Sequence, residues 1–331
     1  WHAVRRSTFI NLIFGIIILY MAYHPEYYSV RAIAIILQYT EEFLNHLINT
    51  STFYIDLENN MIGLERCEQI LKIEMEKDSQ ISNEIITNDN WPKLGNIEFI
   101  NYNASYRPNT PLILKNINLK IENEEKIGIV GRTGSGKSSL IKSLARIIEP
   151  KSGKILIDDI NIQKKNLKVL REKISIFTQE QFLIESTLKD NIDPQGKYSK
   201  EAILKIVNDL GLFKNLENEE KLNFQIKENG KNLSTGEKKL INFARTIIRH
   251  NKIVILDEPT SSLDVETNEI IHKNIDKYLQ DSTTIIITNQ ADLLKKCNRI
   301  IVIDNGEIVE IGKYAKLIKD KKSLFYSLFS K

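Results

Sequence analysis

The sequence predicts an α/β domain with an added antiparallel portion, preceded by a pair of long apolar helices. Three observations carry that reading. A complete phosphate-binding loop, Gly131-Arg132-Thr133-Gly134-Ser135-Gly136-Lys137-Ser138, sits between a strand-like run, Lys126 to Val130, and a helix-like stretch, Ser139 to Ile148. Ile253-Val254-Ile255-Leu256 is a continuous apolar run closing on Asp257-Glu258, the pattern of a parallel strand buried on both faces that delivers carboxylates at its C-terminal end. Ahead of both lie two long apolar segments, Thr8 to Tyr23 and Val30 to Ile48.

The apolar segments come first in the chain. Arg5-Arg6 precede the uncharged run Thr8 to Tyr23, which His24-Pro25-Glu26 ends. Its length approaches the ~20 residues of a membrane-spanning helix, and the arginines would mark its cytoplasmic side. No small-residue cleavage site follows, which argues against a secretory signal. The second segment contains Arg31, Glu41 and Glu42. Two readings stay open for it: a span whose charges face a bundle interior or cavity, and an amphipathic helix leaving the membrane. Helical patterning continues from Thr50 to Asp78 and becomes more charged. A polar stretch, Ser79 to Asn90, then reaches Trp91-Pro92, where the residue before proline is pushed out of helical geometry. The expected division is 1–78 for a membrane-associated helical part, 79–95 for a linker and 96–331 for the α/β domain, with membrane helices near 8–23 and 30–49.

Within the α/β domain, Asn96 to Tyr102 and Leu112 to Ile121 read as strands, the second through alternation of Ile117, Leu119 and Ile121. Gly153 to Ile162 reads as a short hairpin and Thr283 to Thr288 as a further buried strand. Asn305-Gly306, between apolar runs from Ile300 to Val309, is a strong hairpin signal.

Composition narrows the function. The 331 residues suffice for one sizeable domain and a smaller appendage. Lys and Arg number 46 against 43 Asp and Glu, a formal charge of +3, which argues against an electrostatic grip on nucleic acid. Cys67 and Cys297 stand in no ligand spacing, so packing in a reducing compartment is their expected role.

The chemistry gathers at strand ends. The glycines of the phosphate loop let backbone N–H groups close around phosphate oxygens, and the following helix aims its positive dipole end at the same place. Lys137 would reach the terminal phosphates, and Ser138, with Ser139 beside it, would offer a hydroxyl to Mg²⁺. Asp257 is placed to hold that metal and Glu258 to polarise an attacking water. Gln179 follows another strand-like run, Ile174 to Phe177, where its amide could touch both metal and water. The expected metal set is therefore Ser138, Gln179 and Asp257. Asn232-Leu233-Ser234-Thr235-Gly236-Glu237 opens a helix expected to run to Arg249, with Ser234 suited to cap it and Gly236 permitting close approach.

This last segment resembles the LSGGQ signature of ABC transporters, carried here by Leu233, Ser234, Thr235, Gly236 and Glu237. The motif order matches throughout: phosphate loop, Gln179, signature, Ile253 to Glu258, and Ser261-Ser262-Leu263-Asp264, which looks like the D-loop. Trp91-Pro92, Asn101-Tyr102, Ser105-Tyr106-Arg107, Thr187-Leu188, Asn191-Ile192-Asp193-Pro194 and Gly306-Glu307-Ile308 resemble the second nucleotide-binding domain of the C subfamily, the multidrug-resistance-associated proteins. Trp1-His2-Ala3-Val4-Arg5 resembles the cytoplasmic approach to their last transmembrane helix pair.

The resemblance implies a P-loop NTPase of the ABC type, with an antiparallel β portion and a helical subdomain, following a transmembrane hairpin that ends an integral membrane protein. It implies ATP and Mg²⁺ as cofactors, Tyr106 as the adenine-stacking aromatic, and a signature serving the nucleotide held by a second, head-to-tail nucleotide domain. The remaining transmembrane helices of the full transporter are further implied partners, the nucleotide domain lies in the cytoplasm, and the implied activity is ATP-driven efflux of organic anions or conjugates. Three positions depart from the family. Thr235 and Glu237 replace a small or neutral residue and Gln, and the family's terminal-phosphate histidine falls at Asn289. Glu258 favours an ATPase, whereas Asn289 favours a regulatory module that binds ATP with little hydrolysis.

Overall fold

The computed structural model describes residues 2–73, 76, 91–107 and 109–329, and divides the chain into two compact units, 1–77 and 78–331. In the first unit, α1 (His2–Tyr23) and α2 (Val30–Leu71) are joined through a 3₁₀ turn at Pro25–Tyr27. The Ser29 hydroxyl caps α2 by accepting from the Ala32 N–H at 3.2 Å. α2 is continuous for 42 residues, so the apolar and charged stretches predicted separately form one rod. It closes at Leu71, short of the expected Asp78, where the Lys72 N–H donates to the Glu68 carbonyl at 3.1 Å. Among the described residues no helix is long and apolar enough to cross a membrane; in α2 the run is interrupted by Arg31, Glu41 and Glu42. Yet Phe9 is 67% exposed and Leu19 71%, while Met21 and Leu44 are buried. Of the expected linker, 79–95, residues 79–90 lie outside the described residues.

The strands of the second unit are β1 (Ile97–Ala104), β2 (Leu114–Ile121), β3 (Lys126–Val130), β4 (Pro150–Ile157), β5 (Ile160–Asn161), β6 (Ile174–Phe177), β7 (Ser186–Thr187), β8 (Gln225–Ile226), β9 (Ile253–Asp257), β10 (Thr283–Ile287), β11 (Arg299–Asp304) and β12 (Glu307–Gly312). Its helices are α3 (Lys137–Leu144), α4 (Leu167–Lys173), α5 (Leu188–Ile192), α6 (Lys200–Asp209), α7 (Asn218–Asn223), α8 (Thr235–Ile247), α9 (Val265–Tyr278), α10 (Ala291–Lys295), α11 (Tyr314–Leu317) and α12 (Leu324–Phe329).

The main sheet has the order β12-β11-β3-β10-β9-β6, parallel except for β12, which returns antiparallel to β11. A second, antiparallel sheet runs β2-β1-β4-β5. The unbroken apolar runs of β9 and β10 follow from coverage on both faces. Ile253, Ile255, Ile285 and Ile287 enter one core with α3 and the antiparallel sheet, and Val254, Leu256 and Ile286 enter another with α8 and α9. α5 to α8, with the two-stranded β7-β8 ribbon, make up the helical portion between β6 and β9.

Two helix ends in this unit fall short of expectation. The helix after the phosphate loop was expected to reach Ile148 but ends at Leu144, because Arg146 turns left-handed (φ 50°) and buries its guanidinium against the carbonyls of Ile162 and Lys165 and the Glu149 carboxylate. The signature helix ends at Ile247, two residues early. Cys297 is buried, which pushes its thiol up to about 12 and leaves it a packing residue.

The chain enters this unit on a fixed path. The Trp91 indole N–H donates to the Ile157 carbonyl at 3.1 Å, and the Lys165 ammonium lies 4.7 Å from its ring. The Asp158 carboxylate accepts from four consecutive backbone N–H groups, those of Lys93, Leu94, Gly95 and Asn96, at 2.7 to 3.0 Å. Hydrogen bonds to a charged acceptor contribute about 1.5–3 kcal/mol each at most. Asp158→Ala should therefore speed amide exchange at 93–96 by roughly 10- to 100-fold, measured by hydrogen–deuterium exchange, with β3 and β9 unchanged.

Candidate functional site

Register alone assembles the site. In the main sheet Ile287 pairs with both Ile129 and Asp257, and Leu256 pairs with Phe177. The segments just beyond these positions, which begin at Gly131, Glu258, Thr178 and Thr288, therefore emerge side by side at the C-terminal edge of parallel strands, where ligands of such sheets bind. A cleft of about 320 Å³ opens there. Among its lining residues are Lys137, Ser138, Gln179, Asp257, Glu258 and Asn289. Tyr106, Thr133, Gly134, Gly136 and Ser139 also line it, together with Ile113, which carries no local signal of a ligand.

The phosphate loop is held from outside by the β11–β12 turn. The Gly306 N–H donates to the Ser135 carbonyl at 2.9 Å, and the Lys115 N–H donates to the Gly306 carbonyl at 2.8 Å. At Gly306 (φ 82°) a Cβ would lie 2.1 Å from the Ile113 carbonyl, and at Gly131 one would lie 2.2 Å from the Ile303 carbonyl. No side chain fits at either place. The Asn305-Gly306 pair read as a hairpin signal is thus also the brace of the loop.

Within the loop the Lys137 ammonium donates to the carbonyls of Gly131 and Arg132 at 2.7 and 2.8 Å. Burial holds it below the usual lysine range, with Glu258 and Asp257 pulling the other way. Burial also raises the Asp257 carboxyl, reinforced by Glu258 and opposed by Lys137 and Lys142. The Ser135 hydroxyl is buried without a hydrogen-bond partner among the described residues. An orphaned hydroxyl, a desolvated ammonium and two adjacent carboxylates fit a bound polyanion with a hard cation. Ser138, Gln179 and Asp257 offer a hydroxyl, an amide oxygen and a carboxylate, the oxygen donors Mg²⁺ prefers.

Tyr106 is 56% exposed, so it is not a core tyrosine. Its hydroxyl lies 3.1 Å from the Ser139 Oγ, and the Lys142 ammonium sits 5.6 Å from its ring. A second hollow of about 530 Å³ continues past it along Arg107, Pro111, Leu112 and Asn305. Glu258 adopts a left-handed backbone (φ 48°), uncommon for a non-glycine residue and a mark of strain retained at functional sites. The Asn289 amide bonds to no other described residue. Gln290, the neighbour that could replace a missing histidine donor, is turned away: its amide accepts from the Thr260 hydroxyl at 2.5 Å and donates to the Thr260 carbonyl at 3.1 Å.

The signature residues Leu233 to Glu237 and Asp264 do not line the cleft. Ser234 caps α8 in a capping box: its Oγ accepts from the Glu237 N–H at 3.2 Å, while its N–H and hydroxyl both donate to the Glu237 carboxylate at 2.8 and 2.9 Å. Asp264 caps α9, accepting from the Thr267 N–H at 3.0 Å and the Thr267 hydroxyl at 2.7 Å. Gly236 packs against that cap, where a Cβ would lie 3.1 Å from the Thr267 hydroxyl.

A phosphate loop at the edge of this sheet, with an antiparallel sheet on one face and a helical portion set between β6 and β9, defines an ABC-type nucleotide-binding domain. Residues 114–261 match the ABC transporter family, and the chain belongs to the ABC transporters, with relatives in the C subfamily. It is 37% identical to bile pigment transporter 1 of Saccharomyces cerevisiae, over all of this chain and 22% of that protein. It is 38% identical to metal resistance protein YCF1 of the same yeast, over 83% of this chain and 18% of that protein, and 36% identical to ATP-binding cassette sub-family C member 3 of Rattus norvegicus, over 86% and 18%. The chain thus spans about a fifth of the length of these relatives. A bacterial Atm1-family ABC exporter with ATP bound shares the fold, with a TM-score of 0.72 at 23% identity over 89% of this chain and 52% of that one.

Lys137 should dominate nucleotide affinity. The charge-assisted bonds that its ammonium would make to a phosphate have no neutral equivalent. Lys137→Ala should weaken labelled-ATP binding by roughly 10- to 100-fold, the equivalent of about 1.5–3 kcal/mol, and unchanged binding would remove the phosphate loop from the site.

Proposed function

We propose that the chain is the ATP-binding and hydrolysing part of an ABC exporter that moves organic anions or conjugates across a membrane. The convergence of Lys137, Ser138, Gln179, Asp257 and Glu258 on one cleft carries this reading. Mg²⁺·ATP, when bound, supplies the anhydride to be cleaved and the cation that offsets its charge. Lys137 and the loop N–H groups grip the phosphates, while Ser138, Asp257 and Gln179 hold the metal. Tyr106 offers its exposed ring to the base. Glu258 accepts the proton of the attacking water, and Gln179 helps orient that water.

Asn289 takes the place where a histidine would donate to the terminal phosphate. Its amide is neutral and shorter, so binding survives while turnover is slow. Loss of one transition-state donor costs on the order of 10²–10³ in rate. In the full-length protein, Asn289→His should raise ATPase activity, and Glu258→Gln should abolish the activity of this site. Brisk Glu258-dependent turnover with no gain from Asn289→His would show that another group supplies the missing donor.

The same reading places α1 and the first part of α2 in the membrane, with the ATP-binding unit in the cytoplasm. The exposed Phe9 and Leu19, and the match of the whole chain to a bile pigment transporter, support this placement. It also pairs the domain head-to-tail with a second nucleotide domain, because Ser234 and Gly236 lie away from this chain's own cleft. A disulfide between Ser234→Cys and a cysteine in the partner's phosphate loop should form in the ATP-loaded full-length protein; failure of a competent protein to crosslink would count against the pairing.

A further inference from the structure

Lys239 stands two residues past the signature on α8, is only 4% exposed, and forms no ion pair among the described residues. Burying an ammonium is expensive unless its protons are taken up, and an apolar side chain would fill the same space without that cost. Its Nζ donates to the Ser261 carbonyl and to the Ser261 Oγ, the latter at 3.0 Å. Ser261 in turn donates twice to the Glu258 carbonyl, from its hydroxyl at 3.1 Å and its N–H at 3.3 Å. On the other side, the Glu258 N–H donates to the Ile287 carbonyl at 2.9 Å. The left-handed peptide of Glu258 is therefore clamped between β10 and a turn whose far end is fixed by Lys239. The ammonium also senses Glu258 electrostatically: burial lowers the Lys239 pKa and Glu258 raises it.

We propose that Lys239 is a positioning residue for ATP hydrolysis, its N–H donors locking the Glu258–Ser261 turn so that the Glu258 carboxylate faces the cleft. The inference rests on the reading of Glu258 as the group that accepts the water's proton. Lys239 does not line the cleft and touches no substrate. It acts through the hydrogen bonds it donates, so a neutral side chain with an N–H donor serves in its place and an apolar one of similar length does not.

The test measures the Glu258-dependent ATPase activity of the full-length protein, together with its ATP affinity. Lys239→Met should lower kcat by on the order of 10- to 100-fold while KM and ATP affinity stay within about twofold. Lys239→Gln, which keeps an amide donor, should recover most of that loss, and Ser261→Ala should lower kcat by about threefold or more. The proposal is overturned if Lys239→Met turns over like the unmodified protein, if Lys239→Gln is as impaired as Lys239→Met, or if affinity falls in step with rate. Should Lys239→Met not fold, an unchanged kcat in Ser261→Ala overturns it. Hydrolysis by the full-length protein that is undiminished in Glu258→Gln overturns both this proposal and the reading beneath it. Loss of hydrolysis in Glu258→Gln with full rate in Lys239→Met removes the role of Lys239 alone.

Discussion

The parallel register of β6, β9, β10 and β3 is the constraint on which the site depends. Because Phe177 pairs with Leu256, the next residue Asp257 pairs with Ile287, and Ile287 pairs with Ile129 across four strands, the residues one to three positions further on arrive at one edge together. Nothing in the local sequence of Gln179 or Asn289 brings them near Lys137. The sheet does so, and the apolar runs of β9 and β10 keep the sheet in register by burying alternate side chains in two different cores. A one-residue slip would exchange those cores and scatter the edge.

On that edge, charge is held out of water before any ligand contributes. Lys137 is folded onto the carbonyls of its own loop, and Asp257 sits beside Glu258 with its carboxyl raised by burial. Each group is stabilised only in part by what surrounds it. Preorganised but under-compensated charge is the condition under which a site binds an anion and a cation together, since the protein's own dipoles need little rearrangement. The brace from Gly306 to Ser135 matters for the same reason, because a loop free to relax could satisfy its own donors.

Much of this was legible in the sequence. The phosphate loop, the β9 carboxylates and the Asn305-Gly306 turn each carry a local signature with one physical meaning. Ends of helices were less legible: α3 stops at Leu144 because Arg146 finds buried carbonyls in a segment 16 to 19 residues away, which no local pattern encodes. Lys239 escaped notice because a lysine in a charged helix reads as solvated. Its burial follows from the packing of α8, whose one face also places Asn242 on the Thr178 carbonyl and Arg245 on the carbonyls of Phe182 and Asn191. Spaced three apart, these side chains lie along one stripe of the helix. For the membrane helices the local signals conflict: the exposed apolar surface of the first unit and the charges within α2 point in different directions.

Glu237 shows how one residue can serve the fold and oppose the ligand. Its carboxylate takes both donors of Ser234, and in the first turn of α8 its charge also suits the helix dipole. On the head-to-tail reading, the phosphate of a partner's nucleotide approaches this same helix end and seeks the same hydroxyl. It must displace the carboxylate or rely on the backbone N–H groups of Thr235 and Gly236. A bare polyanion meets repulsion there. A nucleotide whose charge is largely offset by the partner's lysine and metal meets much less, because the opposite charges beside it cancel most of the Coulomb repulsion that reaches Glu237. Engagement of the signature would then follow the loading of the opposite site, an order imposed by one carboxylate where the family carries an amide.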